Sequence, residues 1–129
     1  MLPIVGFLPP TDPKILATID AIEQRLTDSR GLVYRYQTGP GVDGLSGDEG
    51  TFLLCTFWLA QALAMADRVD RARAAFERAA SYANDLGLLA EEVHPTTGEL
   101  LGNFPQAFSH IGLVNAAWAI SEAERRARP

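Results

Sequence analysis

Two adjacent glutamates, Glu91 and Glu92, follow the apolar run Leu88-Leu89-Ala90 and precede the turn cluster Pro95-Thr96-Thr97-Gly98. A carboxylate placed where an apolar segment gives way to a loop can sit at the mouth of a pocket. Apolar neighbours then keep bulk water partly away, and catalytic carboxylates are often found in such settings. The same pattern also suits two solvated surface glutamates, and composition does not choose between the two. A second group is Tyr34-Arg35-Tyr36. A guanidinium fork between flat rings can hydrogen-bond sugar hydroxyls and stack on sugar faces. Equally, the triplet can be a strand-like edge with a snorkelling arginine.

Other chemistries are poorly served. The chain has no dinucleotide-binding or P-loop glycine pattern. His94 and His110 have no cysteine neighbour or helical histidine partner, so no metal site and no cofactor are expected. Ser46, in Gly44-Leu-Ser-Gly-Asp48, lacks the flanking pattern of a nucleophile elbow. The single cysteine, Cys55, can form no internal disulfide. It lies in the apolar run Phe52-Leu-Leu-Cys-Thr-Phe-Trp58 with no neighbouring base, and reads as a buried small hydrophobe. Its reduced state fits a cytoplasmic setting. The formal net charge of −5 disfavours nucleic acid as a partner, because phosphate binding needs clustered Lys and Arg. No stretch is long and apolar enough to span a bilayer, so no membrane partner is expected.

The elements that must position these residues are helical. Asp12-Pro13 is a helix-start signal, and Ile15, Ile19, Ile22 and Leu26 fall on one face of a helix over residues 13–27. Residues 31–36 are rich in strand formers but short. The stretch 38–48, with four glycines and a proline, predicts a loop, and a loop of that length is often functional. A second helix is expected from residue 48 or 49 to 65, apolar nearly all round and therefore deeply buried. A third runs over residues 69–86, with Ala72, Ala75, Phe76 and Ala79 on its dry side. The short Ala66-Asp67-Arg68 link makes the second and third a helical hairpin. A fourth starts at 104 or 105 and reaches 126, with an apolar stripe of Phe108, Ile111, Leu113, Val114, Ala117, Trp118 and Ile120. The expectation is an all-α protein of helical hairpins, one unit over residues 1–129. The apolar opening Leu2-Pro-Ile-Val-Gly-Phe-Leu-Pro-Pro10 reads like the interior of a longer chain.

Several motifs together resemble glycoside hydrolase family 15, the glucoamylase and trehalase kind. They are Val5-Gly-Phe-Leu-Pro9, Gly31-Leu-Val-Tyr-Arg-Tyr36, Glu49-Gly-Thr-Phe-Leu-Leu-Cys-Thr-Phe-Trp58 and Asn84-Asp-Leu-Gly-Leu-Leu-Ala-Glu-Glu92. Pro95-Thr-Thr-Gly-Glu99 and Gly102-Asn-Phe-Pro-Gln-Ala-Phe-Ser-His110 complete the likeness, which extends from Leu2 to about Ala119.

The resemblance implies an (α/α)6 barrel of twelve helices, of which these hairpins are an incomplete part. It implies an inverting hydrolase of α-glucosidic bonds, with one carboxylic acid protonating the leaving oxygen and one carboxylate activating water. By motif the general base maps onto Glu91, and Glu92 occupies a position where fungal members often carry glutamine. Arg35 and Tyr36 map onto sugar-binding positions, with Glu49 and Trp58 as further substrate-binding candidates. The family's general acid lies in an earlier segment with no counterpart in these residues, so the expectation is a base without its acid, and no efficient hydrolysis by this chain alone. The expected partners are an α-glucoside and either self-association or a missing N-terminal portion. Two other readings remain open at this stage: a helical interaction module, and a sugar-binding relic without catalysis.

Overall fold

The computed structural model describes residues 1–36 and 49–128. The glycine-rich stretch 38–48, Ser46 included, lies outside the described residues. Among the described residues the chain forms four helices: α1, Pro13–Arg25; α2, Leu53–Met65; α3, Val69–Ala80; and α4, Ala107–Ala127. The all-α expectation holds. The structure adds three short strands, β1 (Thr51–Phe52), β2 (Glu92–Val93) and β3 (Leu100–Leu101), which pair antiparallel in the order β1-β2-β3. Two-residue strands are too short to leave a period-2 pattern in a sequence.

Helix α1 begins as its cap predicts. Asp12 accepts the Lys14 N–H at 2.8 Å, and Pro13 occupies the first turn. Ile15 and Ile19 are buried, and Ile22 and Leu26 pack against the same core. The helix stops at Arg25 rather than Thr27. Asp28 draws the chain into a turn, accepting the N–H groups of Arg30 and Leu32 on one carboxylate oxygen, each at 2.9 Å. Thr27 then bridges to Val33.

Helix α2 is the centre of the core. It packs against α3 on one side and α4 on another, with Leu53, Phe57, Ala60, Leu63 and Ala64 fully buried. It starts at Leu53, later than the expected 48 or 49, because Thr51 and Phe52 are taken by the sheet. Thr51 pairs with Val93 and Phe52 with Glu92, and the Thr51 hydroxyl donates to the Val93 carbonyl at 3.0 Å. Helix α3 buries Ala72, Ala75 and Ala79, with Phe76 half-buried against Phe57 at 5.8 Å between ring centroids. It ends at Ala80 rather than 86. The Asn84 side-chain oxygen accepts the N–H groups of Leu86 and Leu88 at 3.0 and 2.8 Å, and Gly87 turns left-handed at φ 77°. That turn feeds the chain back toward β2.

Helix α4 departs from its expected packing. It starts at Ala107, not 104 or 105, and the face it buries is Ser109, Gly112, Ala116, Ile120 and Ala123. Phe108, Ile111, Val114 and Trp118, expected in the dry stripe, are exposed instead, Trp118 at 71%. The reason is close approach. A Cβ at Gly112 would lie 3.0 Å from Leu54 Cδ1 and 3.1 Å from Phe57 Cβ. Small residues let α4 lie tightly on α2, and large ones would hold it away. Among the described residues no helix is long and apolar enough to cross a membrane.

Candidate active site

The sheet is what assembles the candidate site. β1 runs between two neighbours. On one side Tyr34 bridges to Thr51, and the Val33 carbonyl accepts the Phe52 N–H at 2.9 Å. On the other side β2 pairs with β1, and the Glu91 carbonyl accepts the Leu53 N–H at 3.1 Å. Arg35 and Glu91, 56 positions apart in the chain, are thereby brought to either side of one short strand.

Glu91 ends the apolar segment Leu88–Ala90. Leu89 and Ala90 before it are fully buried, and Glu91 itself is half-buried. Its Oε2 accepts two hydrogen bonds from Asn103, from the backbone N–H at 3.0 Å and from the side-chain amide at 2.8 Å. The Glu91 N–H donates to the Asn103 carbonyl at 3.0 Å. Between β3 and Asn103 the chain turns at Gly102, with φ 73°, where a Cβ would meet Glu91 Oε2 at 2.8 Å. Only glycine combines that left-handed backbone with so close an approach.

Arg35 lies with its guanidinium 4.8 Å from the Phe52 ring centroid and 5.0 Å from that of Tyr36. Contacts of this kind fix the fork without removing it from water. It also donates to the Tyr36 hydroxyl at 3.3 Å and forms an ion pair with Glu49. The structure corrects the setting of Glu49, expected to begin a helix. It lies just before β1, and among the described residues its Oε2 is buried without a hydrogen-bond partner. A buried carboxylate oxygen in that condition is a vacant acceptor.

A depression of about 220 Å³ connects these groups. Arg35, Trp58 and Glu91 line it together with Phe52, Gln106 and Phe108. Three of the five residues singled out in the sequence therefore face one cavity, and the other two, Tyr36 and Glu49, hold Arg35. A larger and more apolar cavity of about 260 Å³ adjoins it between α1, α2 and the first residues, sharing Arg35, Cys55 and Trp58.

Among the described residues the charged groups lining the depression are Arg35 and Glu91, with Glu49 and Glu92 beside them. Burial pushes the Glu92 carboxyl above its ordinary value, and the nearby Glu49 and Glu91 add to the rise. The Gly50 N–H and Arg35 oppose it. Burial also pushes the Cys55 thiol up to about 11, which removes it as a nucleophile at neutral pH. Neither histidine is placed for chemistry. His94 Nδ1 accepts the N–H groups of Thr96 and Thr97, and His110 Nε2 accepts that of Leu89. Among the described residues no group of three or more His, Cys, Asp or Glu could hold a metal. Sequence reasoning assigned no role to Asn103 or Gln106. Both stand in the Gly102-Asn-Phe-Pro-Gln motif, but nothing in their spacing marks a partner for Glu91 12 positions earlier.

The family model for glycosyl hydrolases family 15 matches residues 1–118. The chain belongs to this family. Its helical hairpins are thus part of an (α/α)6 barrel. A trehalase of Mycolicibacterium smegmatis is 50% identical over 124 residues, 96% of this chain and 18% of that protein. A trehalase of Mycobacterium tuberculosis is 48% identical over the same length, with the same shares. One from Thermoplasma acidophilum is 45% identical over 122 residues, 95% of this chain and 20% of its own. The chain therefore spans about a fifth of the length of these curated relatives. No solved structure gives a significant match.

Proposed function

We propose that these residues form the base-bearing part of an inverting α-glucosidic hydrolase that acts on trehalose, folded as one helical unit. Glu91 is the general base that activates water, and Arg35, Tyr36, Glu49 and Trp58 bind the sugar. The observation that carries this reading is the carboxylate of Glu91 at the wall of the depression it shares with Arg35 and Trp58, held through Oε2 by two donors of Asn103. Among the described residues Oε1 takes no such bond and is left to meet a water.

The chemistry of the pocket is in keeping. An inverting glycosidase passes through a transition state with positive charge on the sugar ring. The Glu91 carboxylate at the wall of the depression favours that charge over the neutral ground state. Trp58 and Phe52 offer apolar faces to a sugar ring, and Glu49 serves the site through the Arg35 guanidinium with which it is paired. The general acid, and the barrel helices that position it, come from polypeptide outside these residues. A polypeptide of these 129 residues alone does not turn trehalose over.

The test is a graft. These residues replace the corresponding segment of the M. smegmatis trehalase, which is 50% identical over 124 residues. The graft hydrolyses trehalose, and Glu91→Gln in it lowers kcat by roughly 10²–10⁴-fold, the range for loss of a general base. An active graft that tolerates Glu91→Gln overturns the assignment. Glucose release from trehalose by the ungrafted chain overturns the claim that the acid lies elsewhere.

A further inference from the structure

We propose that Glu92 is a positioning residue that couples the segment bearing the base to the arm bearing the sugar-binding arginine. Glu92 opens β2 immediately after Glu91, opposite Phe52 of β1. Its Oε2 accepts the Gly50 N–H at 2.9 Å. Gly50 is buried and immediately follows Glu49, which is ion-paired to Arg35. A single carboxylate therefore ties the neighbour of the base to the residue that sets Glu49, and through it the guanidinium. The contact needs glycine. A Cβ at position 50 would lie 2.8 Å from Glu92 Oε2 and 3.0 Å from the Val93 carbonyl oxygen.

The placement is unfavourable for Glu92 itself. Among the described residues the charged groups that face it are Glu49 and Glu91, which repel it, and Arg35, which attracts it. Burial penalises its ionised form as well. A solvated surface glutamate would meet none of these penalties. Here the geometric return is specific: a charge-assisted hydrogen bond to a buried backbone donor at the end of β1. Glutamine at this position would keep the carbonyl acceptor, and leucine would lose it.

The inference rests on the reading of Arg35 and Glu49 as sugar-binding, and its test does not need turnover. Nuclear magnetic resonance of the isotope-labelled chain follows the Gly50 amide and the Arg35 Nε–H through an acid titration. Both signals carry a shared midpoint above that of an ordinary glutamate. Glu92→Gln abolishes the titration of the Gly50 amide and removes that midpoint from the Arg35 signal, whereas Glu92→Leu displaces both. A Gly50 amide that does not titrate, or an Arg35 signal that lacks the Gly50 midpoint, overturns the coupling without recourse to any variant. If Glu92→Leu does not fold, the wild-type titration and Glu92→Gln still decide. Added α,α-trehalose is read separately on the same sample. Failure of Arg35 and Trp58 to respond counts against the sugar-site reading, and the shared titration still reports on the coupling.

Discussion

Asn103 grips one oxygen of Glu91 with two donors, its backbone N–H at 3.0 Å and its side-chain amide at 2.8 Å. The backbone bond survives any substitution at 103 other than proline, because it belongs to the main chain. The side-chain bond does not. Hydrogen bonds to a charged group are worth about 1.5–3 kcal/mol. Asn103→Ala in the trehalase graft should therefore lower kcat/KM by roughly tenfold to a hundredfold, at little change in thermal midpoint. Asn103→Asp should lose more, because it sets a second carboxylate against the first. Steady-state kinetics beside a melting curve checks both. An Asn103→Ala variant with unaltered kcat/KM would show that the backbone bond alone orients the base.

Glu92 makes stability depend on pH in a direction opposite to that of a salt-bridged carboxylate. Burial raises its carboxyl in the folded chain above the ordinary value of 4.5. Between the two values the folded state binds more protons than the unfolded one, so unfolding free energy falls as pH rises through that window. Glu92→Gln should flatten this part of the profile. Urea unfolding of both proteins at a series of pH values from about 4 upward measures the difference. An identical slope in the two would show that Glu92 does not hold the raised value.

The thiol of Cys55 should be slow to react. With its pKa pushed up to about 11 by burial, roughly a thousandth of it is thiolate at pH 8. Modification by a water-soluble disulfide reagent should be sluggish in the native chain and fast in denaturant. Native-state labelling at the rate of a free thiol would show that the two adjoining cavities open Cys55 to solvent.

The outer face of α4 should drive self-association of this polypeptide. Phe108, Ile111, Val114 and Trp118 recur at helical spacing and are more than half exposed. An apolar stripe of that kind is seldom left in water. Sedimentation velocity should show concentration-dependent association, and Ile111→Glu with Trp118→Glu should return the protein to monomer with its helix content intact. A wild-type chain that stays monomeric at high concentration would contradict this.

Local signals were enough to place most of the helices. Asp12-Pro13 capped α1, the 3.6-residue recurrence of Ile15 and Ile19 set its buried face, and the alanines of α3 marked its dry side. These follow from interactions within a few residues, which a sequence displays directly. The family was legible as well, because its motifs at 31–36, 49–58, 84–92 and 102–110 are contiguous and carry their spacing with them. Glu91 and Arg35 could be named as candidates for the same reason.

What only the tertiary structure decided were the relationships between segments far apart in the chain. Thr51 and Phe52 continue a helical pattern locally, yet pairing with Val93 and Glu92 makes them a strand and moves the start of α2 to Leu53. The inward face of α4 was chosen by the space beside Leu54 and Phe57, which admits Gly112 and Ala116 and turns the bulkier Ile111 and Trp118 outward. The clamp of Glu92 on Gly50, the grip of Asn103 on Glu91 and the ion pair of Glu49 with Arg35 each join residues at least 12 positions apart. Sequence periodicity reports which residues share a face. Which faces meet, and how closely, depends on the shapes that remain when all the elements are packed together.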